Sequence, residues 1–73
     1  MSSFSSAELD ELLANADTLA NVDETVGILR TLGLEPRPEV IRSQAALYEV
    51  EPERTELLVA LVGRRLSSLE GAL

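Results

Sequence analysis

The sequence contains no histidine, cysteine, tryptophan or lysine, and Phe4 and Tyr48 are its only aromatic residues. Without cysteine the chain forms no disulfide, and without cysteine or histidine it lacks the ligands that hold most structural zinc ions. The remaining nucleophiles are hydroxyl groups, and no histidine or lysine is present to activate them. The composition therefore predicts a protein that is not an enzyme and that holds no metal and no cofactor.

Basic residues are also scarce. Six arginines stand against 13 aspartates and glutamates, which gives a net charge of −7. A surface of this sign repels the phosphates of nucleic acids and the headgroups of anionic membranes, whereas it attracts basic protein surfaces. We therefore expect the partner to be another protein or a second copy of the chain, with no direct nucleic-acid partner and no membrane partner.

Long apolar runs are absent. The longest one covers residues 57–62, far short of the roughly 20 residues that span a bilayer. The N-terminus lacks the basic stretch and the apolar stretch of a signal peptide. These features predict a soluble, cytoplasmic protein.

The length and apolar content indicate one small folded unit. A chain of 73 residues accommodates a single domain with a small core, and an apolar fraction of 45% distinguishes it from a disordered chain. We expect residues 1–5 to form a flexible N-terminal segment and residues 6–73 to form one helical domain. Because so small a core is marginal, association with a partner or a second copy is an expected source of stability.

The spacing of apolar residues predicts an all-α fold, a small antiparallel bundle of short helices. We place the boundary between the first two helices at Asn21, since asparagine caps helix termini. In an alternative arrangement, the last two helices form one rod that is kinked at Pro52, which leaves three helices. The four predicted helices cover residues of about 6–20, 22–32, 38–49 and 52–70.

Several residues mark the helix termini. Ser5 and Glu8 have the spacing of a capping box at the start of helix 1. Gly33 suits the left-handed position that ends helix 2 in a Schellman motif. Pro38 and Pro52 suit the first turns of helices 3 and 4, where a proline does not remove a needed hydrogen bond.

Helix 4 carries more aliphatic side chains than one helix face in so small a domain is expected to bury. It also contains Gly63, and a glycine inside a helix can mark the close approach of another helix. We therefore predict that helix 4 presents the partner-binding surface, with Val59 and Leu69 as leading candidates, and that the acidic turn near Pro52 steers a basic partner. The predicted partner-binding residues are Leu57, Leu58, Val59, Leu61, Val62, Leu66, Leu69, Glu49, Glu51 and Glu53.

These features together favour a non-catalytic protein–protein interaction module, such as an adaptor, a small complex subunit or a regulator. An alternative is an acidic mimic of nucleic acid that inhibits a basic protein, since the net charge has the required sign.

Two segments also resemble acyl carrier proteins. Ala16-Asp17-Thr18-Leu19, followed by Leu32-Gly33-Leu34-Glu35, is similar to the Asp-Ser-Leu segment before the recognition helix of that family and to the segment after it. The family attaches phosphopantetheine to the serine, and Thr18 stands at that position here. The resemblance therefore implies a degenerate carrier-like domain.

A second resemblance is to the small mitotic-spindle organising proteins that support gamma-tubulin ring complexes. Val22-Asp23-Glu24-Thr25, Gly33-Leu34-Glu35 and Pro52-Glu53 occur in a similar order within a similar total length. Val50-Glu51 stands where that family has a glycine-containing turn. The resemblance implies a small subunit of a gamma-tubulin complex.

Overall fold

The protein consists of four α-helices, and the computed structural model describes residues 4–71, with side chains up to Leu69. No strand occurs among these residues, so the prediction of an all-α bundle of four helices is confirmed. The alternative of one rod kinked at Pro52 is wrong, because residues 48–51 lie between the last two helices. The helices are α1 (Ser6–Leu13), α2 (Ala16–Thr31), α3 (Pro38–Leu47) and α4 (Pro52–Gly71).

The start of α1 is capped as predicted. The Ser5 hydroxyl accepts a hydrogen bond from the N–H of Glu8 at 3.1 Å and donates one to the Glu8 carboxylate at 3.2 Å. Phe4 packs against the buried core. The rest of the predicted N-terminal segment, residues 1–3, lies outside the described residues, as do residues 72–73 of the predicted domain.

The predicted boundary between the first two helices is wrong. α1 ends at Leu13, and the side chain of Asn15 caps α2 by accepting hydrogen bonds from the N–H groups two and three residues further on, at 3.0 and 3.1 Å. Asparagine is as good a cap at this position as at Asn21, so the apolar period decides between them. The half-buried Leu19 and the buried Val22 lie three residues apart on one face of α2, and a break at residue 21 would separate them.

α2 and α3 end in the same hydrogen-bond pattern. After α2, Gly33 has a φ of 78°, and the N–H of Leu34 donates to the carbonyl five residues earlier at 2.8 Å, which confirms the predicted Schellman motif. After α3, Glu49 takes the left-handed position with a φ of 56°, and the N–H of Val50 donates to the carbonyl of Ala45 at 3.0 Å. α3 therefore ends earlier than predicted, because residue 49 has left the helical region.

The core forms around α4, which contacts each of the other three helices. α1 also contacts α2, but no Cα atom of α2 lies within 8 Å of a Cα atom of α3. The expectation that Gly63 marks a close helix approach is wrong within the described residues, because a Cβ atom there would meet nothing within 4 Å. The buried apolar residues are Leu9 of α1, Val22, Val26 and Leu29 of α2, Ile41 and Ala45 of α3, and Leu61 and Val62 of α4.

Three arginine–carboxylate pairs join α4 to its neighbours, one for each helix. In each pair Nε and Nη2 of the arginine donate to the two carboxylate oxygens, at distances between 2.7 and 3.3 Å. The arginine hydrogen bonds hold the pKa values of Asp10 and Glu56 below their ordinary values. The pairs are Arg64–Asp10 to α1, Arg65–Asp23 to α2 and Arg42–Glu56 to α3.

Candidate functional site

An open groove lies between α2 and α3, with α4 as its floor, and is called here the α2–α3 groove. Its wall on α2 follows spacings of three and four residues, so it is one face of that helix. With a rise of 1.5 Å per residue, the 14 steps from the first to the last of these residues measure about 20 Å. They are Thr18, Asn21, Thr25, Ile28 and Leu32.

The opposite wall and the floor come from the second half of the chain. α3 supplies the wall at one end of the groove, and the turn between α3 and α4 supplies it at the other. Three leucines of α4 lie along the floor. The residues are Ile41, Gln44, Ala45 and Tyr48 of α3, Glu49, Val50 and Glu51 of the turn, and Arg54, Leu57, Leu58 and Leu61 of α4.

The end of the groove between α2 and α3 is apolar. It encloses about 200 Å³, and Ile28, Leu32 and Tyr48 line it while remaining 53%, 59% and 76% exposed. Val50 also lines it, so four of the seven exposed large apolar side chains among the described residues lie on this one groove. Scattered apolar side chains on a surface are ordinary, but a contiguous exposed group marks a binding surface. This end is called the apolar end.

The other end of the groove is acidic and wider, at about 780 Å³. Glu24 of α2 lies on one side, and Glu49 and Glu51 lie on the other. Arg54 is the basic residue among the lining side chains, and none of these four charged groups forms an ion pair with a described residue. This acidic end therefore has a surplus of unneutralised carboxylates.

Glu49 reaches the acidic end from a costly backbone conformation. Among the described residues it is the non-glycine residue with a positive φ. The left-handed region costs a residue with a Cβ atom about 1–2 kcal/mol. Glycine would avoid that cost, as it does at the equivalent position after α2. The chain thus has a carboxylate on the groove at a position where glycine suits the backbone better.

The structure brings half of the predicted partner-binding residues to the groove. The others lie elsewhere: Val62 is fully buried at 0% exposure, and Val59 and Leu66 pack half-buried against the core. Leu69 is 46% exposed and Glu53 is exposed, but neither lines the groove. The predicted helix 4 face is largely internal because three helices pack on α4. The predicted residues that line the groove are Leu57, Leu58, Leu61, Glu49 and Glu51.

The prediction of the partner-binding surface missed Ile28, Leu32 and Tyr48. A signal for Ile28 is present in the sequence, since it broadens the apolar stripe of α2 beyond the buried Val26 and Leu29. A stripe wider than the contact with one neighbouring helix leaves apolar area uncovered. Because α2 packs on α1 and α4 but not on α3, the uncovered side is the one that faces α3.

The described residues offer no other site. No group of three or more carboxylates lies where it could hold a metal ion, and none of the described helices is long and apolar enough to cross a membrane. Thr18, the position matched to the carrier-protein serine, lies half-buried at the acidic end, and its N–H donates to the Asn15 side chain. Comparisons of the chain with protein-family models, curated proteins and solved structures gave no match. The two family resemblances stay predictions.

Proposed function

We propose that the chain is a non-catalytic protein-interaction module and that its α2–α3 groove is the surface that binds the partner. The observation that carries the proposal is the concentration of exposed Ile28, Leu32, Tyr48 and Val50 on one groove. Covering apolar surface is favourable by about 25 cal/mol per Å². A partner that fills the groove gains this free energy, since no helix of the chain covers these side chains.

The arrangement suits binding better than catalysis. The groove is lined by apolar side chains, hydroxyls, amides, three carboxylates and one guanidinium. The pKa values that are shifted belong to the ion pairs that join α4 to α1 and α3, outside the groove. Catalytic sites are places where titratable groups are arranged to shift each other's pKa.

Affinity capture from the native host with two matched variants tests the proposal. Ile28→Ser removes an exposed aliphatic side chain from the groove, and Leu47→Ser removes one that is 72% exposed on α3 but does not line the groove. Both positions are solvent-exposed, so both variants are expected to fold, which circular dichroism checks. Truncating an interface anchor typically costs more than 1 kcal/mol, so we expect recovery of the partner to fall about tenfold with Ile28→Ser.

Leu47→Ser is expected to recover the same partner as the unsubstituted chain. Quantitative mass spectrometry of the three samples gives the comparison. If no protein depends on Ile28 for its recovery, or if both variants lose the same protein equally, the assignment of the groove is wrong.

A further inference from the structure

We propose that the α2–α3 groove takes a single amphipathic α-helix from another protein, with arginines or lysines at one end only. This inference rests on the proposed function and adds the shape and the charge of the partner. The apolar side of the bound helix covers the apolar end of the groove. Its basic residues lie at the acidic end, beside Glu24, Glu49 and Glu51.

The shape follows from the walls. α2 and α3 both pack on α4 without contacting each other, so the two walls and the floor are all helical surfaces. Helices pack with their axes 8–10 Å apart by setting the ridges of one into the grooves of another. A helix laid in the groove contacts all three walls in this way. An extended peptide instead needs a free sheet edge, and the described residues contain no strand.

The length follows from the α2 wall. This wall runs about 20 Å, against principal extents of 29 × 26 × 23 Å for the molecule. A helix of about 14 residues has the same length. Because one face of the bound helix meets the floor, its apolar residues recur at spacings of three and four.

The charge follows from the unequal ends. At the acidic end three carboxylates without ion pairs accompany one arginine, Arg54, whereas the apolar end has Gln44 as its polar residue on the α3 wall. Opposite charges across an interface favour association and fix the register of the partner. The bound helix is therefore basic where it meets Glu24, Glu49 and Glu51, and apolar at its other end.

A second copy of the chain does not fit this charge pattern. The chain has a net charge of −7, and four of its six arginines are paired with carboxylates of the same molecule. Arg30 and Arg54 are the arginines outside these pairs, one on α2 and one on α4. No single described helix offers a cluster of unpaired basic residues to the groove, and two acidic ends brought together repel each other.

A displayed library of random 16-residue peptides tests the inference against the whole chain. The library is selected on the unsubstituted protein and counter-selected on the Ile28→Ser variant, so that groove binders remain. We expect enriched peptides with apolar residues at helical spacing and with arginine or lysine confined to one end. Enriched peptides that are acidic, proline-rich or without helical spacing overturn the inference, and so does a selection that enriches nothing.

Charge variants then locate the basic end of an enriched peptide. An exposed ion pair contributes about 0.2–1 kcal/mol, so Glu24→Gln and Glu51→Gln are each expected to weaken binding about two- to fivefold. Glu11→Gln makes the same charge change on α1, away from the groove, and is expected to leave the affinity unchanged. Fluorescence anisotropy at low and high salt measures the affinities, and high salt is expected to reduce the difference.

The outcomes separate this inference from the proposed function. If Ile28→Ser abolishes peptide binding but the glutamate variants bind as well as the unsubstituted chain, the charge inference is wrong and the groove remains the binding surface. If sedimentation shows that the chain dimerises and that Ile28→Ser prevents dimerisation, the occupant is a second copy and the inference is overturned. The host capture experiment decides the proposed function independently of both.

Discussion

Replacing Glu49 by glycine is expected to stabilise the protein. Glu49 has a φ of 56° after the end of α3, in a Schellman motif closed by the hydrogen bond from Val50 to Ala45. Gly33 occupies the same position after α2 with a φ of 78°. The protein therefore contains the same motif twice, once with the residue that suits it and once without.

The size of the effect follows from two opposing terms. Releasing the left-handed strain of a residue with a Cβ atom gains about 1–2 kcal/mol. The greater freedom of glycine in the unfolded chain costs about 0.5–1 kcal/mol. The expected net increase in the free energy of unfolding for Glu49→Gly is about 0.5–1 kcal/mol, which corresponds to a rise in Tm of about 2–8 °C in a domain of this size.

Urea denaturation followed by circular dichroism measures this change, and two variants control it. Glu49→Gln removes the charge but keeps the Cβ atom, so we expect it to leave the free energy of unfolding nearly unchanged. Gly33→Ala introduces the strain at the other motif, where a Cβ atom meets nothing within 4 Å, so its expected loss of about 0.5–1 kcal/mol is a backbone effect. The reasoning fails if Glu49→Gly is no more stable than the unsubstituted chain, or if Glu49→Gln gains as much.

Three further changes test the helices, the core and the ion pairs. Gly63→Ala in α4 meets open space, so urea denaturation is expected to show a gain of about 0.5–1 kcal/mol, and a loss would contradict an unobstructed helical site. Val62→Ala in the fully buried core is expected to cost about 2–3 kcal/mol, whereas Leu47→Ala on the surface changes the same quantity by less than about 0.5 kcal/mol; similar losses would contradict the assigned core. The hydrogen bond from Arg64 lowers the pKa of Asp10 in the folded state, so this pair stabilises the fold above the unfolded pKa of Asp10, and the contribution is lost as the pH falls through the lower, folded value. Urea titrations below about pH 4 are therefore expected to show a shallower acid loss for Asp10→Asn than for the unsubstituted chain, and equal slopes would refute the pairing.

The helix termini could be predicted where a single residue type decides them. Gly33, Pro38 and Pro52 mark their positions through backbone conformation alone, and the structure has helix ends there. Between the first two helices the sequence offers asparagine at both 15 and 21, and a local cap preference does not distinguish them. The break lies at Asn15 because the buried stripe of α2 depends on packing against α1 and α4.

The candidate site could be predicted only in part, because exposure depends on which helices meet. The carboxylates Glu49 and Glu51 were expected at a partner surface and do line the groove, since a turn between two helices is exposed in any bundle. Ile28 and Leu32 lie on the groove because α2 and α3 do not contact each other, and local apolar spacing contains no information about that missing contact. The aliphatic face of α4 is buried for the opposite reason, since it meets all three other helices.

The central position of α4 also governs how the chain acquires its structure during synthesis. Of the contacts between described helices, only the one between α1 and α2 does not involve α4. While the ribosome is still translating residues beyond 51, α3 has nothing to pack on, and a lone helix of 10 residues is marginal in water. The nascent chain therefore remains largely uncollapsed, with its apolar stripes accessible to chaperones, until residues 52–69 have left the exit tunnel.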